Sequence, residues 1–197
     1  MTDPAQQTNP TPGTQWRWSR CIAVAGGFGY VPRAPGTAGS LCGVLLFITL
    51  CWLVGLPGEG RPGAPSLEIL LLLYGLVVVG LLGLGIWSAG NAEADFGRKD
   101  DGRIVIDEVV GQLVTLWPLP IFAVAGDFFS LMVGVVTGFV LFRVFDIWKP
   151  GAVRWAERRF EGGLGVMADD VVAGLYGAAG LVGIEWLLLR ARSGGLG

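Results

Sequence analysis

From Ile69 to Gly90 the chain runs for 22 residues without a charge. At about 1.5 Å per residue a helix of that run is roughly 33 Å long, enough to cross the hydrocarbon core of a bilayer. A large soluble core is the competing home for such a run, and the composition argues against one. The 197 residues are 52% hydrophobic with a mean hydropathy of +0.60. Only 15% are charged, against roughly 25% in ordinary soluble domains. A net charge of −2 gives no basis for binding nucleic acid.

Four more apolar segments accompany that one: Ala38–Leu56 before it, then 104–124, Phe128–Trp148 and Val166–Leu189. Ahead of them all, the short apolar piece Cys21–Tyr30 follows Arg17 and Arg20, and Trp16 and Trp18 suit the headgroup level. The expected architecture is all-α: a polytopic membrane bundle of about five apolar helices with a short N-terminal interfacial helix. Residues 1–15 are polar and proline-rich and are expected to be disordered. Residues 16–192 are expected to form a single domain, and 193–197 a flexible end.

Basic residues set the expected orientation. Arg17, Arg20 and Arg33 precede the first segment; Arg98, Lys99 and Arg103 separate the second from the third; Lys149, Arg154, Arg158 and Arg159 separate the fourth from the fifth. The alternate loops hold only Arg61, while Arg190 and Arg192 follow the last segment. The positive-inside rule puts the three basic regions in the cytoplasm.

The acids fall on that same side. Asp107 and Glu108 open the third segment, Asp146 closes the fourth, and Asp169 and Asp170 open the fifth. Taken singly, each acidic pair is a favourable charge in a first helical turn, and Arg143, Asp146 and Lys149 are an i, i+3 ladder of ion pairs. Taken together, acids from separate segments at one membrane face predict a shared pocket. Gly111 and Gly174, each four residues after an acid, would let two helices approach closely.

The chain contains no histidine, which excludes His-based triads, His nucleophiles and His metal ligands. The three cysteines, Cys21, Cys42 and Cys51, are an odd number in apolar surroundings and read as small buried residues. A carboxylate cluster without His or Cys suits a hard cation, and Mg²⁺ is the expected one. Arg143 and Lys149 supply positive charge for phosphate oxygens. The glycine-rich starts "PGTAGS", with Thr37 and Ser40, and "GGLGV" put helix N-termini where anions bind. Thr37 and Ser40 have a plainer reading as an N-cap and a first-turn hydroxyl. Such a set fits phosphate chemistry on a lipid head group.

The strings "PGTAGS", "IVIDEVVG", "FRVFDIWKPGAVRW" and "GGLGVMADDVVAGLYG", in that order between residues 35 and 177, resemble the phosphatidylglycerophosphatase A family of bacteria. The resemblance implies a Mg²⁺-dependent phosphatase of the inner membrane, its site facing the cytoplasm, hydrolysing phosphatidylglycerophosphate to phosphatidylglycerol and phosphate. Asp107 and Glu108 match the family's Asp-Glu pair. Asp146 and Lys149 match its D-x-W-K-P string, Asp169 and Asp170 its acidic pair, and Asp100 an upstream Asp. Asp101 departs from the residue often found next.

The expected metal set is Asp100, Asp107, Glu108, Asp146, Asp169 and Asp170, the last five also being candidate bases or nucleophiles. Thr37, Ser40, Arg143 and Lys149 are the candidate substrate contacts. A C-x5-R loop and the D-x-D-x-T/V arrangement are both absent, so attack by a metal-activated water is favoured. A covalent aspartyl-phosphate stays open, because a sequence does not separate ligand from nucleophile. Two other classes of function are a small cation transporter, which would spread its acids through the membrane depth, and a non-catalytic lipid-binding protein.

Overall fold

A computed structural model describes residues 18–54, 66–123 and 128–194. Every regular element among them is helical. Helix α1 (Trp18–Ala23) runs into a 3₁₀ segment, Ala25–Tyr30, which Gly26 and Gly27 turn with φ of 66° and 119°. Then come α2 (Pro35–Val54), α3 (Leu67–Phe96), α4 (Ile106–Leu116), α5 (Leu119–Ala123), α6 (Phe128–Trp148), α7 (Gly151–Arg159) and α8 (Gly162–Gly194). The expected tail at 1–15 lies outside the described residues. At the other end α8 continues to Gly194, and 195–197 lie outside them.

Four helices are long and apolar enough to cross a membrane: Pro35–Leu53, Leu67–Phe96, Phe128–Trp148 and Gly162–Ala191. The expected count of about five is corrected by the third segment. Pro118 has no N–H to give, so the hydrogen-bond ladder of α4 does not continue through it, although Trp117 before it keeps helical angles of φ −49° and ψ −39°. The helix therefore stops at Leu116, with Trp117 N–H bonding back only to Val114 O, and α5 restarts at Leu119. At 11 residues α4 is about 16 Å long, roughly half a bilayer core.

Its place in the bundle explains its sequence. Helix α4 packs against α2, α3, α6 and α8, and all its residues except Glu108 are buried. Tyr74 of α3 fastens it, donating from its hydroxyl to Leu113 O at 2.7 Å while its ring meets Phe47 and Trp117 edge-on. The surrounding spans turn large apolar side chains outward, among them Trp52, Leu72, Val136 and Ile147. An exposed apolar face of that extent marks contact with lipid or another apolar partner.

Small residues set the closest helix contacts. A Cβ on Gly174 would stand 2.5 Å from Gly111 O, so α4 and α8 meet where both lack side chains, as the sequence predicted. Thr115 Oγ1 lies between the Gly111 and Gly174 carbonyls, at 3.1 and 3.2 Å. At the chain's entry, Val105 N–H donates to Ala23 O at 2.9 Å, and Gly29 lies so close to the Arg103 carbonyl that a side chain would collide. The starts of α2, α4 and α8 and the ends of α3 and α6 thus gather at one end of the molecule.

Candidate active site at the carboxylate end

Asp107 and Glu108 occupy the first turn of α4, and Asp170 sits two turns into α8. One carboxylate oxygen from each lies within 4.8 Å of the other two. Asp107 Oδ1, Glu108 Oε2 and Asp170 Oδ2 are buried without a hydrogen-bond partner among the described residues. Such an arrangement is costly on its own. Burial removes water from each charge, and the charges then repel at short range.

Asp146, near the end of α6, faces Glu108 and Asp170 and is ion-paired to Arg143 one turn back at 2.7 Å. Arg143 Nη1 also reaches Ser40 Oγ at 3.4 Å, and it borders Gly36 together with the Glu108 carboxylate. Ser40 donates to Gly36 O at 3.0 Å. Because α2 begins at Pro35, Thr37 stands inside the first turn and is not the N-cap; it is half-buried there.

Asp169 is buried beside Asp170 but faces another way, since successive residues of a helix point about 100° apart. It accepts from Lys149 Nζ at 2.8 Å, and Lys149 also donates to Glu157 of α7 at 2.8 Å. The expected ladder is therefore half formed. Arg143 pairs with Asp146, while Lys149 stands past the end of α6 with φ 49° and pairs with α7 and α8. Burial alone would lower the Lys149 ammonium, but its hydrogen bonds to Asp169 and Glu157 outweigh that and hold it above its ordinary value.

Asp100 lies apart from the inner trio. It is exposed on the loop between α3 and α4, and its N–H donates to Glu93 Oε1 at 2.7 Å. With Asp107, Asp169, Lys99, Glu157 and Phe160 it borders a small cavity of about 60 Å³. Asp101, the departure noted in the sequence, braces that loop: both its oxygens accept from the Arg103 guanidinium, at 2.7 and 2.9 Å, and Arg103 lies over the Phe96 ring at 3.8 Å. The structure thus joins Asp107, Glu108, Asp146 and Asp170 with Arg143 and Ser40, sets Asp169 and Lys149 at the flank, and leaves Asp100 at the mouth.

The phosphatidylglycerophosphatase A family model matches residues 21–185, most of the chain and all of these side chains. The chain belongs to that family. It is 36% identical to phosphatidylglycerophosphatase A of Escherichia coli, over 85% of this chain and 84% of that protein. A Haemophilus influenzae protein of the same name is 33% identical over 85% and 89%. A Bacteroides thetaiotaomicron protein, provisionally named a phosphatidylinositol-3-phosphatase, is 38% identical over 85% and 93%. No solved structure matches the chain.

Two features of this chain escaped the sequence. Glu157 pairs with Lys149 across an eight-residue gap, which no helical spacing announces. Gln112 is fully buried one turn below Glu108, and both its amide atoms lack a partner among the described residues. Its signal was available: an amide in the middle of an apolar helix is costly unless something hydrogen-bonds it.

Proposed function

We propose that this protein hydrolyses the terminal phosphomonoester of phosphatidylglycerophosphate, with Mg²⁺, at the carboxylate end of the bundle, and that this end faces the cytoplasm. The observation that carries the proposal is the trio Asp107, Glu108 and Asp170, which bring one carboxylate oxygen each within 4.8 Å of the others and each hold a buried oxygen without a hydrogen-bond partner among the described residues. A divalent cation would offset both desolvation and repulsion, and an all-oxygen donor set suits Mg²⁺. Bound there, Mg²⁺ would neutralise phosphoryl oxygens and favour attack at phosphorus. Names of relatives supply the substrate class.

Asp107 and Asp170, on facing helices, are the residues we assign to hold the cation. Glu108, less buried than either, takes the proton of the attacking water and returns it to solvent. Arg143 binds phosphate, and its ion pair with Asp146 keeps the guanidinium aimed at the site. Lys149, tied to Asp169 and Glu157, fixes the start of α8 against α7 and so positions Asp170. The cytoplasmic orientation rests on Arg98, Lys99, Arg103, Arg154, Arg158 and Arg159, which lie at the same end as the acids. A transporter would need acids along its depth, whereas the buried ones gather here.

The test is phosphate release by purified protein from phosphatidylglycerophosphate, phosphatidylinositol 3-phosphate and phosphatidate, each with Mg²⁺ and with chelator. Mg²⁺-dependent release, fastest from phosphatidylglycerophosphate, is expected. Preference for the inositol lipid would reassign the substrate to the head group named for the Bacteroides relative. No release from any of the three would refute the phosphatase reading.

A further inference from the structure

Gln112 packs its stem against Gly43 of α2, but its amide is idle among the described residues. It is fully buried in α4, yet neither Oε1 nor Nε2 has a hydrogen-bond partner among the described residues. It lies one turn below Glu108, and i, i+4 side chains are neighbours on one helix face. Helical side chains lean toward the helix N-terminus, so a long one at 112 reaches up toward the turn that carries Glu108. Helix α2 confirms the shared face. A Cβ on Gly39 would meet Glu108 Cβ at 3.2 Å, and one on Gly43 would meet Gln112 Cβ at 2.9 Å. Ser40, between those glycines, carries the contact to Arg143.

We propose that Gln112 holds and orients the water that attacks phosphorus; this rests on the phosphatase reading above. A cation would use only the amide oxygen and a phosphate only the amide N–H. Water beside a phosphoryl group uses both: Gln112 Oε1 accepts one hydrogen of the water, and Nε2 donates to a phosphoryl oxygen. Glu108 Oε2, also without a partner, takes the other hydrogen. The water oxygen bonds to phosphorus as the ester P–O bond breaks, its proton passes to Glu108 and on to solvent, and the departing glycerol oxygen gains a proton from solvent. Phosphate and the lipid alcohol result.

Gln112→Met and Gln112→Leu keep the volume and remove both polar atoms. Phosphate release, the unfolding temperature without Mg²⁺, and the temperature shift that Mg²⁺ causes are measured for each beside the wild type. The expected result is a kcat lower by about 100-fold, the scale of losing one oriented hydrogen-bonding group, with KM held within about twofold. Unfolding temperature without Mg²⁺ should be unchanged or higher, because an unsatisfied buried amide is gone, and the Mg²⁺ shift should persist. A kcat equal to wild type in the more stable variant overturns the proposal. So does an unfolding temperature that falls in both variants, which would give the amide a structural partner. An inactive wild type would instead remove the phosphatase reading itself.

Discussion

Asp101 and Asp107 show how two acids six residues apart serve opposite ends. Asp101 has its own cation: the hydrogen bonds from Arg103 hold its carboxyl below the ordinary value of 3.8. A carboxylate depressed in the fold contributes stability that is fully present above its unfolded value and is lost as pH falls through its folded one. The brace should therefore weaken below about pH 3.8, and Asp101→Asn should flatten the unfolding-temperature profile on that acid limb; an unchanged slope would deny Asp101 the role. Asp107 has no such partner at Oδ1 among the described residues, and it is the type of group a site retains at a cost to stability. Lys149 works at the same scale. Lys149→Met leaves Asp169, 12% exposed in its side chain, without its ammonium, and should cost about 1–3 kcal/mol in denaturant unfolding.

At the scale of elements, the contact between α4 and α8 places Asp107 near Asp170. Gly174→Ala would drive a Cβ against the Gly111 carbonyl, which is backbone and has no rotamer to yield. Overpacking of that kind costs about 1–3 kcal/mol, and activity should fall further than stability because the two acids move apart; urea unfolding and phosphate release on one preparation compare the two. Much of this level was legible in the sequence. Uncharged apolar runs announced α2 and α3, apolar runs carrying acids near their ends announced α6 and α8, and Gly111 and Gly174 announced the close approach. The end of α4 was less legible, because Pro118 and Pro120 sit where either a kink or a stop is possible; the fold takes the stop, with Trp117 N–H bonded to Val114 O and α5 restarting at Leu119. Helix α7 was hidden because its charge reads as a loop, although Val153 and Ala156 bury one face. That Asp107 and Glu108 both reach the trio while of Asp169 and Asp170 only Asp170 does was not legible at all, since it depends on helix rotation set by neighbours distant in sequence.

For the whole molecule, the bundle turns membrane helices into a frame for one polar end. Spans α3 and α8, of 30 and 33 residues, are about 45 and 50 Å long, more than the roughly 30 Å a bilayer core requires. The surplus lets them carry polar residues past the hydrocarbon, where α7 and the loop before α4 close over the acids. In the proposed site, Asp107 from α4 and Asp170 from α8 serve a single cation. A double-mutant cycle on Mg²⁺-dependent phosphate release tests it most directly, using Asp107→Asn, Asp170→Asn and the pair together. Residues acting as one unit are strongly non-additive, so each single change should lower kcat by about 100-fold or more and the double change should add little. Losses that multiply, or a single variant that keeps wild-type turnover, would contradict a shared site.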